Sequence, residues 1–235
     1  MAITTVLFDL DGTLLPMDQD IFVKTYFGLL AKKLAPHGYD PKALIDGIWK
    51  GTGAMVMNPG GKTNEEVFWD TFCALMGQHC RADEPLFQEF YENEFGGVQA
   101  VCGFTPKAAE TIALVKRKGL RTALATNPIF PAIATRQRIA WAGLTPGDFE
   151  YVTTYENSSH SKPNPDYYRE VLDRLGVRAE ECLMVGNDVG EDMVAEKLGM
   201  KVFLLTDCVI NKKGEDINRY PHGGFDALMA FIESL

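Results

Sequence analysis

The chain has few basic residues and no long apolar run. Its 23 lysines and arginines face 32 aspartates and glutamates, which gives 235 residues a formal net charge of -9. Nucleic acids and anionic membranes bind basic surfaces, so this balance argues against both as partners. No apolar stretch approaches the roughly 18 residues that a membrane-spanning helix needs. We therefore expect no nucleic-acid partner and no membrane partner.

Cysteine pairs at metal-binding or redox spacing are also lacking. The five cysteines include no CxxC pair and are odd in number; they lie at 73, 80, 102, 182 and 208. This pattern predicts reduced thiols, although Cys73 and Cys80 could pair under oxidising conditions. The first residues carry no basic side chain and Asp9 interrupts their apolar segment, which argues against a signal peptide. We predict a cytoplasmic protein.

What is present is the composition of a folded globular protein, with 46% hydrophobic and 23% charged residues. Its length fits one large domain or a core with a modest second lobe. From about residue 100, strand and helix patterns alternate, which predicts a parallel sheet. The predicted strands are 6–8, 122–126, 152–153, 182–185 and 201–205. The predicted helices follow Thr105 and Pro131 and cover about 165–175, 190–198 and 225–235.

Residues 17 to about 100 break this alternation. Apolar residues recur there at helical spacing, and Thr63 with Glu66 forms a capping box. An all-helical block inserted between the first strand and the rest of a sheet domain indicates a cap. We predict a catalytic core of residues 1–16 plus 100–235 and a helical cap domain of 17–99, hinged near Pro16 and Gly96-Gly97.

The first predicted strand runs into Asp9-Leu10-Asp11-Gly12-Thr13-Leu14. Two carboxylates two residues apart lie where an apolar strand ends, and Gly12 permits a sharp turn. Phosphate sites in open α/β sheets lie at the carboxyl ends of strands. A nucleophilic carboxylate and an acid/base carboxylate can share one phosphoryl group in this arrangement. The bland alternative is an ordinary Asp-Gly turn.

Three further segments place polar residues near strand ends. Thr126-Asn127 could donate to phosphate oxygens or could cap a helix. Lys162, between a polar loop and a proline-initiated helix, could pair with an anion or be a surface charge. Gly186-Asn187-Asp188 followed by Asp192 could bind a cation or complement a helix dipole.

Together and in this order, the four segments resemble the motifs of the haloacid dehalogenase-like (HAD) hydrolase superfamily, and the helical insert resembles the cap of subfamily I. The resemblance implies an α/β fold, with a Rossmann-like parallel sheet core, helices on both faces and an inserted helical cap. It also implies that Asp9 is the nucleophile and Asp11 the general acid/base. Thr126, Asn127 and Lys162 would bind the substrate phosphate, and Lys162 would also pair with Asp9.

The same resemblance implies a Mg²⁺ cofactor held by Asp9, the backbone carbonyl of Asp11 and Asp188. Many members have Gly-Asp at the last motif, whereas this chain has Gly186-Asn187 and then Asp188. Either Asp188 is the direct ligand, with Asn187 behind it, or the register shifts and Asp192 ligates the metal. We favour Asp188.

The resulting hypothesis is a Mg²⁺-dependent phosphatase that hydrolyses a small phosphorylated metabolite, a phosphomonoester, through an aspartyl-phosphate. A sugar phosphomutase and a phosphonatase of the same superfamily stay open, and so does a non-catalytic ligand-binding module. Dehalogenases lack the second aspartate, which Asp11 supplies here. A phosphonatase would need a cap lysine as amine nucleophile; the candidates are Lys24, Lys32, Lys33, Lys42, Lys50 and Lys62. No motif in the sequence specifies the substrate or the oligomeric state.

Overall fold

Six strands form a single parallel sheet in the structure, a computed structural model that describes residues 2–235. The strands are β1 (Thr5–Phe8), β2 (Arg121–Leu124), β3 (Tyr151–Val152), β4 (Cys182–Gly186), β5 (Lys201–Leu205) and β6 (His222–Gly223). Their order across the sheet is β3-β2-β1-β4-β5-β6. The predicted α/β fold with a parallel sheet is confirmed. The two-residue strand β6 was not predicted, because it has no apolar run.

Eight α-helices accompany these strands in the described part of the chain. They are α1 (Gln19–Leu34), α2 (Pro41–Val56), α3 (Asn64–Met76), α4 (Glu84–Asn93), α5 (Pro106–Arg117), α6 (Ala132–Trp141), α7 (Pro165–Leu175) and α8 (Phe225–Glu233). Proline begins α2, α5 and α7 directly after an Asp, Thr or Asn cap, as the sequence indicated. The stretch predicted as a helix over about 190–198 is instead a turn followed by a 3₁₀ helix, Met193–Leu198.

Alternate residues of the central strand β1 face two separate apolar layers. Val6 and Phe8 pack with residues of α5 and α8, whereas Leu7 packs with residues of α7. Strand β1 lies between β2 and β4, with Phe8 opposite both Leu124 and Val185. Because the three strands are parallel and in register, their carboxyl ends meet at one edge of the sheet. We call this edge the catalytic edge, because the residues predicted to be catalytic follow these strands.

Helices α1 to α4 and the 3₁₀ helix Phe95–Val101 form what we call the helical segment. Thr63 and Glu66 make the predicted capping box at the start of α3. The chain enters and leaves the segment side by side: Met17 bridges Cys102, and Gly103 N donates to Pro16 O at 2.7 Å. The second crossing therefore lies beyond Gly96-Gly97, where the sequence had suggested a hinge. The division into core and cap domains stays a prediction.

The helical segment is attached to the sheet by the start of α3. The buried Asn64 side chain donates to Pro128 O and His160 O, both at 3.1 Å, and to Ser161 Oγ at 3.1 Å. Its backbone N donates to Ser158 O at 2.8 Å. One asparagine therefore joins this helix to the loops that follow β2 and β3.

Two further observations concern the cysteines and the lack of long apolar runs. Cys73 and Cys80 form a disulfide, so the prediction of five reduced thiols is wrong for this pair, while Cys102, Cys182 and Cys208 are free. The pairing is possible because α3 ends between the two residues and returns the chain to itself. No helix within 2–235 has the length and apolar character needed to cross a membrane.

Candidate active site

The catalytic edge brings the predicted site residues from four separate segments together. Asp9 directly follows β1, and its backbone N donates to Val185 O of β4 at 2.9 Å. Asn187 directly follows β4, and Thr126 lies two residues beyond β2. Lys162 comes from the loop before α7. The short parallel strands place these residues side by side although up to 178 positions separate them in the chain.

A buried lysine joins two carboxylates at the centre of this edge. Lys162 Nζ donates to Asp9 Oδ1 at 2.8 Å and to Asp192 Oδ1 at 2.6 Å. Lys162 is fully buried, Asp192 is 1% exposed and Asp9 is 7% exposed. Burial acts to lower the pKa of Lys162, but the charges of Asp192 and then Asp9 outweigh it and raise that pKa above its usual value. Lys162 is therefore a fixed cation beside Asp9.

A threonine and an asparagine hold the other side of Asp9. The Thr13 hydroxyl lies 3.2 Å from Asp9 Oδ2 and 2.9 Å from Asn187 Oδ1, so its one proton can be donated to either oxygen. Asn187 Nδ2 in turn donates to Cys208 O at 2.7 Å. Gly12 is required here because it has a φ of +82°, and a Cβ at this position would lie 2.3 Å from Asn187 Nδ2.

The second carboxylate, Asp11, turns toward an arginine that the sequence analysis missed. Arg138 of α6 is fully buried, contacts Asp11 Oδ2 and lies with its guanidinium carbon 4.5 Å from the Phe130 ring centroid. Asp11 Oδ1 is buried and has no hydrogen-bond partner among residues 2–235. Burial raises the pKa of Asp11, opposed by the charge of Arg138. The available signal was an arginine at helical spacing with the buried Ala134 and Thr135.

Asn127 positions protein groups in this structure. Its Oδ1 accepts from Lys162 N at 3.2 Å, and its Nδ2 donates to Glu191 Oε2 at 3.0 Å. Thr126 is 2% exposed, and its backbone carbonyl accepts from the Tyr167 hydroxyl at 2.9 Å. Glu191 was not singled out from the sequence; burial raises its pKa to about 7. The Thr126-Asn127 segment thus joins the Lys162 loop to the turn after β4.

The two acidic residues of the last motif make different contacts. Asp192 bonds Lys162 through Oδ1 and accepts from Asp188 N through Oδ2 at 2.9 Å. It fits there because Gly186 has no side chain: a Cβ would lie 2.1 Å from Asp192 Oδ2. Asp188 Oδ1 instead accepts from the backbone N of Gly190 and Glu191, at 2.7 and 3.0 Å. Asp192 therefore holds Lys162, whereas Asp188 remains part of the edge loop.

The donors at this edge fit a magnesium ion in kind. Within residues 2–235 no three or more His, Cys, Asp or Glu side chains cluster in a way that could hold a metal. The predicted set needs only two carboxylates, of Asp9 and Asp188, with the backbone carbonyl of Asp11. Mg²⁺ takes oxygen ligands and is usually bound by one or two carboxylates, the rest being water and substrate oxygens. A site with few protein carboxylates is consistent with that preference.

Comparison with known proteins then settles the family. The family model for haloacid dehalogenase-like hydrolases matches residues 3–198. The chain belongs to this family. The match spans β1 to β4, all four motif segments and the helical segment.

Relatives and solved structures agree with this assignment. The chain is 28% identical over 203 residues to the phosphoglycolate phosphatase of Pectobacterium atrosepticum, covering 85% of this chain and 79% of the relative. It is 24% identical over 226 residues to the pyrophosphatase PpaX of Halalkalibacterium halodurans, with 93% and 89% covered. The magnesium-bound HAD-hydrolase YfnB of Bacillus subtilis shares the fold, at a TM-score of 0.55, 16% identity and 99% coverage of both chains.

Proposed function

We propose that this HAD-like hydrolase is a Mg²⁺-dependent phosphatase that cleaves a small phosphomonoester through an aspartyl-phosphate on Asp9. One observation carries the proposal: Asp9 lies at the catalytic edge, 2.8 Å from the buried Lys162 cation, with Asp11 two residues further on. Phosphoryl transfer depends mainly on positioning and on neutralising charge on the phosphoryl oxygens. Asp9, Asp11 and Lys162 meet both requirements.

The first step forms a bond between an Asp9 carboxylate oxygen and phosphorus while the bond from phosphorus to the alcohol oxygen breaks. Asp11, in its protonated form, gives its proton to the departing alcohol oxygen. The raised pKa of Asp11 favours that form. Lys162 offsets negative charge on Asp9 and on the phosphoryl oxygens; at about 4 Å and an effective dielectric near 20, such an attraction is about 4 kcal/mol before desolvation.

The second step hydrolyses the aspartyl-phosphate. Asp11, now ionised, takes a proton from water as its oxygen attacks phosphorus. The bond between phosphorus and Asp9 breaks, which restores the Asp9 carboxylate and releases inorganic phosphate. Asp11 ends the cycle protonated, so one carboxyl group serves as acid and then as base.

Asp9, the backbone carbonyl of Asp11 and Asp188 would hold the magnesium ion. When bound, Mg²⁺ supplies positive charge to the phosphoryl oxygens. The contacts of Asp192 with Lys162 and Asp188 N support Asp188 as the direct ligand. The magnesium-bound relative from Bacillus subtilis supports the choice of metal.

The names of the relatives support a small phosphorylated substrate. Phosphoglycolate phosphatase and pyrophosphatase are names of enzymes for small phosphorylated compounds, and we propose a compound of that size, a phosphomonoester. Half of the lysines that a phosphonatase could use argue against that alternative. Three candidate lysines, Lys33, Lys42 and Lys62, have pKa values raised by bonded carboxylates, the opposite of what an amine nucleophile needs. The cytoplasmic location stays a prediction.

Trapping the phosphorylated enzyme tests the proposal. Wild-type protein is incubated with Mg²⁺ and p-nitrophenyl phosphate, quenched in acid and mapped by mass spectrometry. We expect phosphate on Asp9. Asp11→Asn should still phosphorylate Asp9, because this leaving group needs little protonation, but should hydrolyse the intermediate slowly. Asp9→Asn should form none.

The metal requirement is tested in the same assay. EDTA should abolish turnover and added Mg²⁺ should restore it. Undiminished turnover in EDTA would refute the metal dependence, and phosphate on Asp11 would overturn the assignment of the nucleophile. A steady-state screen of phosphoglycolate against pyrophosphate then separates a monoesterase from an enzyme that cleaves the phosphoanhydride.

A further inference from the structure

A cavity of about 590 Å³ lies between the helical segment and two loops of the catalytic edge, 129–131 and 155–156. None of the predicted catalytic, phosphate-binding or metal residues lines it. Phe130 connects it to the site, because this ring lines the cavity and also contacts the guanidinium of Arg138, which contacts Asp11. The cavity is therefore a neighbouring compartment, large enough for a ligand of ordinary metabolite size.

The walls of this cavity are aromatic. Nine of its 21 lining residues are Phe, Tyr or Trp, among them Tyr26, Trp49, Phe68, Trp69, Tyr91 and Phe130. Trp49 is 51% exposed, so this wall reaches the surface and leaves a route for a ligand. Aromatic faces attract cations through the ring quadrupole. One cation already uses such a face: Arg81 lies 5.6 Å from the Trp69 ring centroid.

The charges in the cavity wall are unbalanced. Its ionisable acids and bases other than tyrosine are Glu65, Glu84, Glu156 and Arg81. Arg81 contacts Glu84 at 3.4 Å, and no cation of residues 2–235 lies within ion-pair distance of Glu65 or Glu156. Burial raises the pKa of Glu65, and the negative charges of Glu156 and Glu84 raise it further, whereas the charge of Arg81 acts in the opposite direction. A cation in the cavity would offset that repulsion.

One buried polar atom in the wall also lacks a hydrogen-bond partner within the described residues. Glu156 Oε1 accepts from Ala132 N at 2.8 Å, but Oε2 is buried and unpaired. The indole of Trp69, which is 2% exposed, interacts with the Tyr155 hydroxyl. Buried polar groups are rarely left without partners, so Glu156 Oε2 offers an acceptor to a ligand in the cavity.

We propose that this cavity binds an organic cation with an aromatic or apolar body. Aromatic rings surrounding unpaired carboxylates favour ammonium groups, and the same carboxylates repel phosphate or carboxylate ligands. The cation could be a separate small molecule or the alcohol part of a cationic phosphomonoester. Only the second source rests on the proposed function.

Binding of a probe cation tests the cavity without any turnover. Benzyltrimethylammonium is titrated against the full chain and followed by tryptophan fluorescence, since Trp49 and Trp69 line the cavity, and by calorimetry. Benzyl alcohol and phenylacetate serve as the neutral and anionic controls. We expect the cation to bind at least about tenfold more tightly than either. Glu65→Gln with Glu156→Gln should remove that preference, and the exposed Glu110→Gln should retain it.

Equal binding of the three probes, binding of none, or an unchanged preference in the double variant would overturn the proposal. Trp49→Ala guards against a variant that fails to fold, because this half-exposed side chain can be removed at little cost to stability. Trp49→Ala should weaken the binding of benzyltrimethylammonium without appreciably changing the melting temperature of the protein.

Kinetics distinguish the two sources. Choline phosphate is compared with its carbon isostere, 3,3-dimethylbutyl phosphate. If the cavity holds the alcohol part of the substrate, kcat/KM should be about tenfold higher for choline phosphate than for its carbon isostere. The Glu65/Glu156 double variant should lose this preference. If it holds a separate molecule, the probe should bind without competing with either ester. Absence of turnover with any ester would count against the phosphatase proposal and leave the binding result standing.

Discussion

The catalytic edge and the helical segment both bury their side chains, but with different chemistry. At the edge, the buried groups are acidic and basic side chains that bond one another: Lys162 contacts Asp9 and Asp192, and Asp11 contacts Arg138. In the helical segment the buried groups are rings in edge-to-face contact, such as Phe90 with Tyr26, whose centroids are 5.9 Å apart. A ring can pack against any apolar neighbour, whereas a buried charge needs its partner at a fixed place.

We therefore expect the catalytic edge to govern turnover and the helical segment to govern stability and ligand preference. Charged contacts that cross between strand ends fix Asp9, the carboxylate proposed to react, so a change there should affect turnover with every substrate. The aromatic rings of the helical segment meet the edge at Phe130, which contacts Arg138, and Asn64 adds hydrogen bonds to the loops there. Changes in that layer should affect stability or ligand preference and leave the phosphoryl chemistry intact.

Lys162→Met should have the largest effect, because it leaves Asp9 and Asp192 buried without their cation. We expect kcat to fall by about 10² to 10³, and the free energy of unfolding to fall by about 3–5 kcal/mol. Steady-state kinetics and urea denaturation measure the two losses. The exposed Lys201→Met is the matched control and should change neither. Near-native turnover by Lys162→Met would refute the role of this cation.

Phe90→Ala tests the expectation that the helical segment affects stability and not turnover. The ring is fully buried among Tyr26, Tyr91 and Phe95. Its removal should lower the free energy of unfolding by about 3–5 kcal/mol. At a temperature where the variant is folded, kcat with p-nitrophenyl phosphate should stay close to the wild-type value. A loss of kcat as large as that of Lys162→Met would show that the two regions are not separable.

The variants Asp188→Ala and Asp192→Ala distinguish two proposed roles at the catalytic edge, metal binding and the positioning of Lys162. If Asp188 is the ligand, its loss should raise the half-saturating Mg²⁺ concentration by more than the roughly 10- to 100-fold that loss of an outer partner costs. Asp192→Ala removes a partner of Lys162, so it should lower the unfolding temperature more and raise the Mg²⁺ requirement less. The opposite order of Mg²⁺ effects would move the ligand from Asp188 to Asp192.

Arg138→Met should have the smallest effect, and one that depends on the leaving group. Without the guanidinium, Asp11 loses the contact that orients its carboxyl group, so its proposed proton transfer to the departing alcohol should be less well positioned. We expect kcat to fall about tenfold with an alkyl phosphate and much less with p-nitrophenyl phosphate, since misplacing a proton donor matters most where protonation is needed. Arg138→Lys should recover part of the loss. The exposed Arg136→Met, on the same helix, should behave as wild type. Equal losses on both esters would indicate a structural role alone.

The sequence by itself determined the parallel sheet and the residues at its edge. Short apolar runs such as Leu183–Val185 bury on both faces in only one common arrangement, between helices of a parallel sheet. Asp9 and Asn187 follow such runs directly, so the sequence alone predicted their position at the carboxyl edge of the sheet. The capping box at Thr63 was equally local, because its two hydrogen bonds join residues only three apart.

The tertiary structure alone decided the pairings. Arg138 and Asp11 are 127 residues apart, and nothing local in helix α6 indicates that its buried arginine has a carboxylate partner. Asp192 differs from Asp188 only because folding places Lys162 within 2.6 Å of it. The aromatic cavity likewise exists only where four helices meet two loops of the sheet. Local sequence specifies elements and their ends, whereas a pair or a cavity is set by distances between elements that no local pattern encodes.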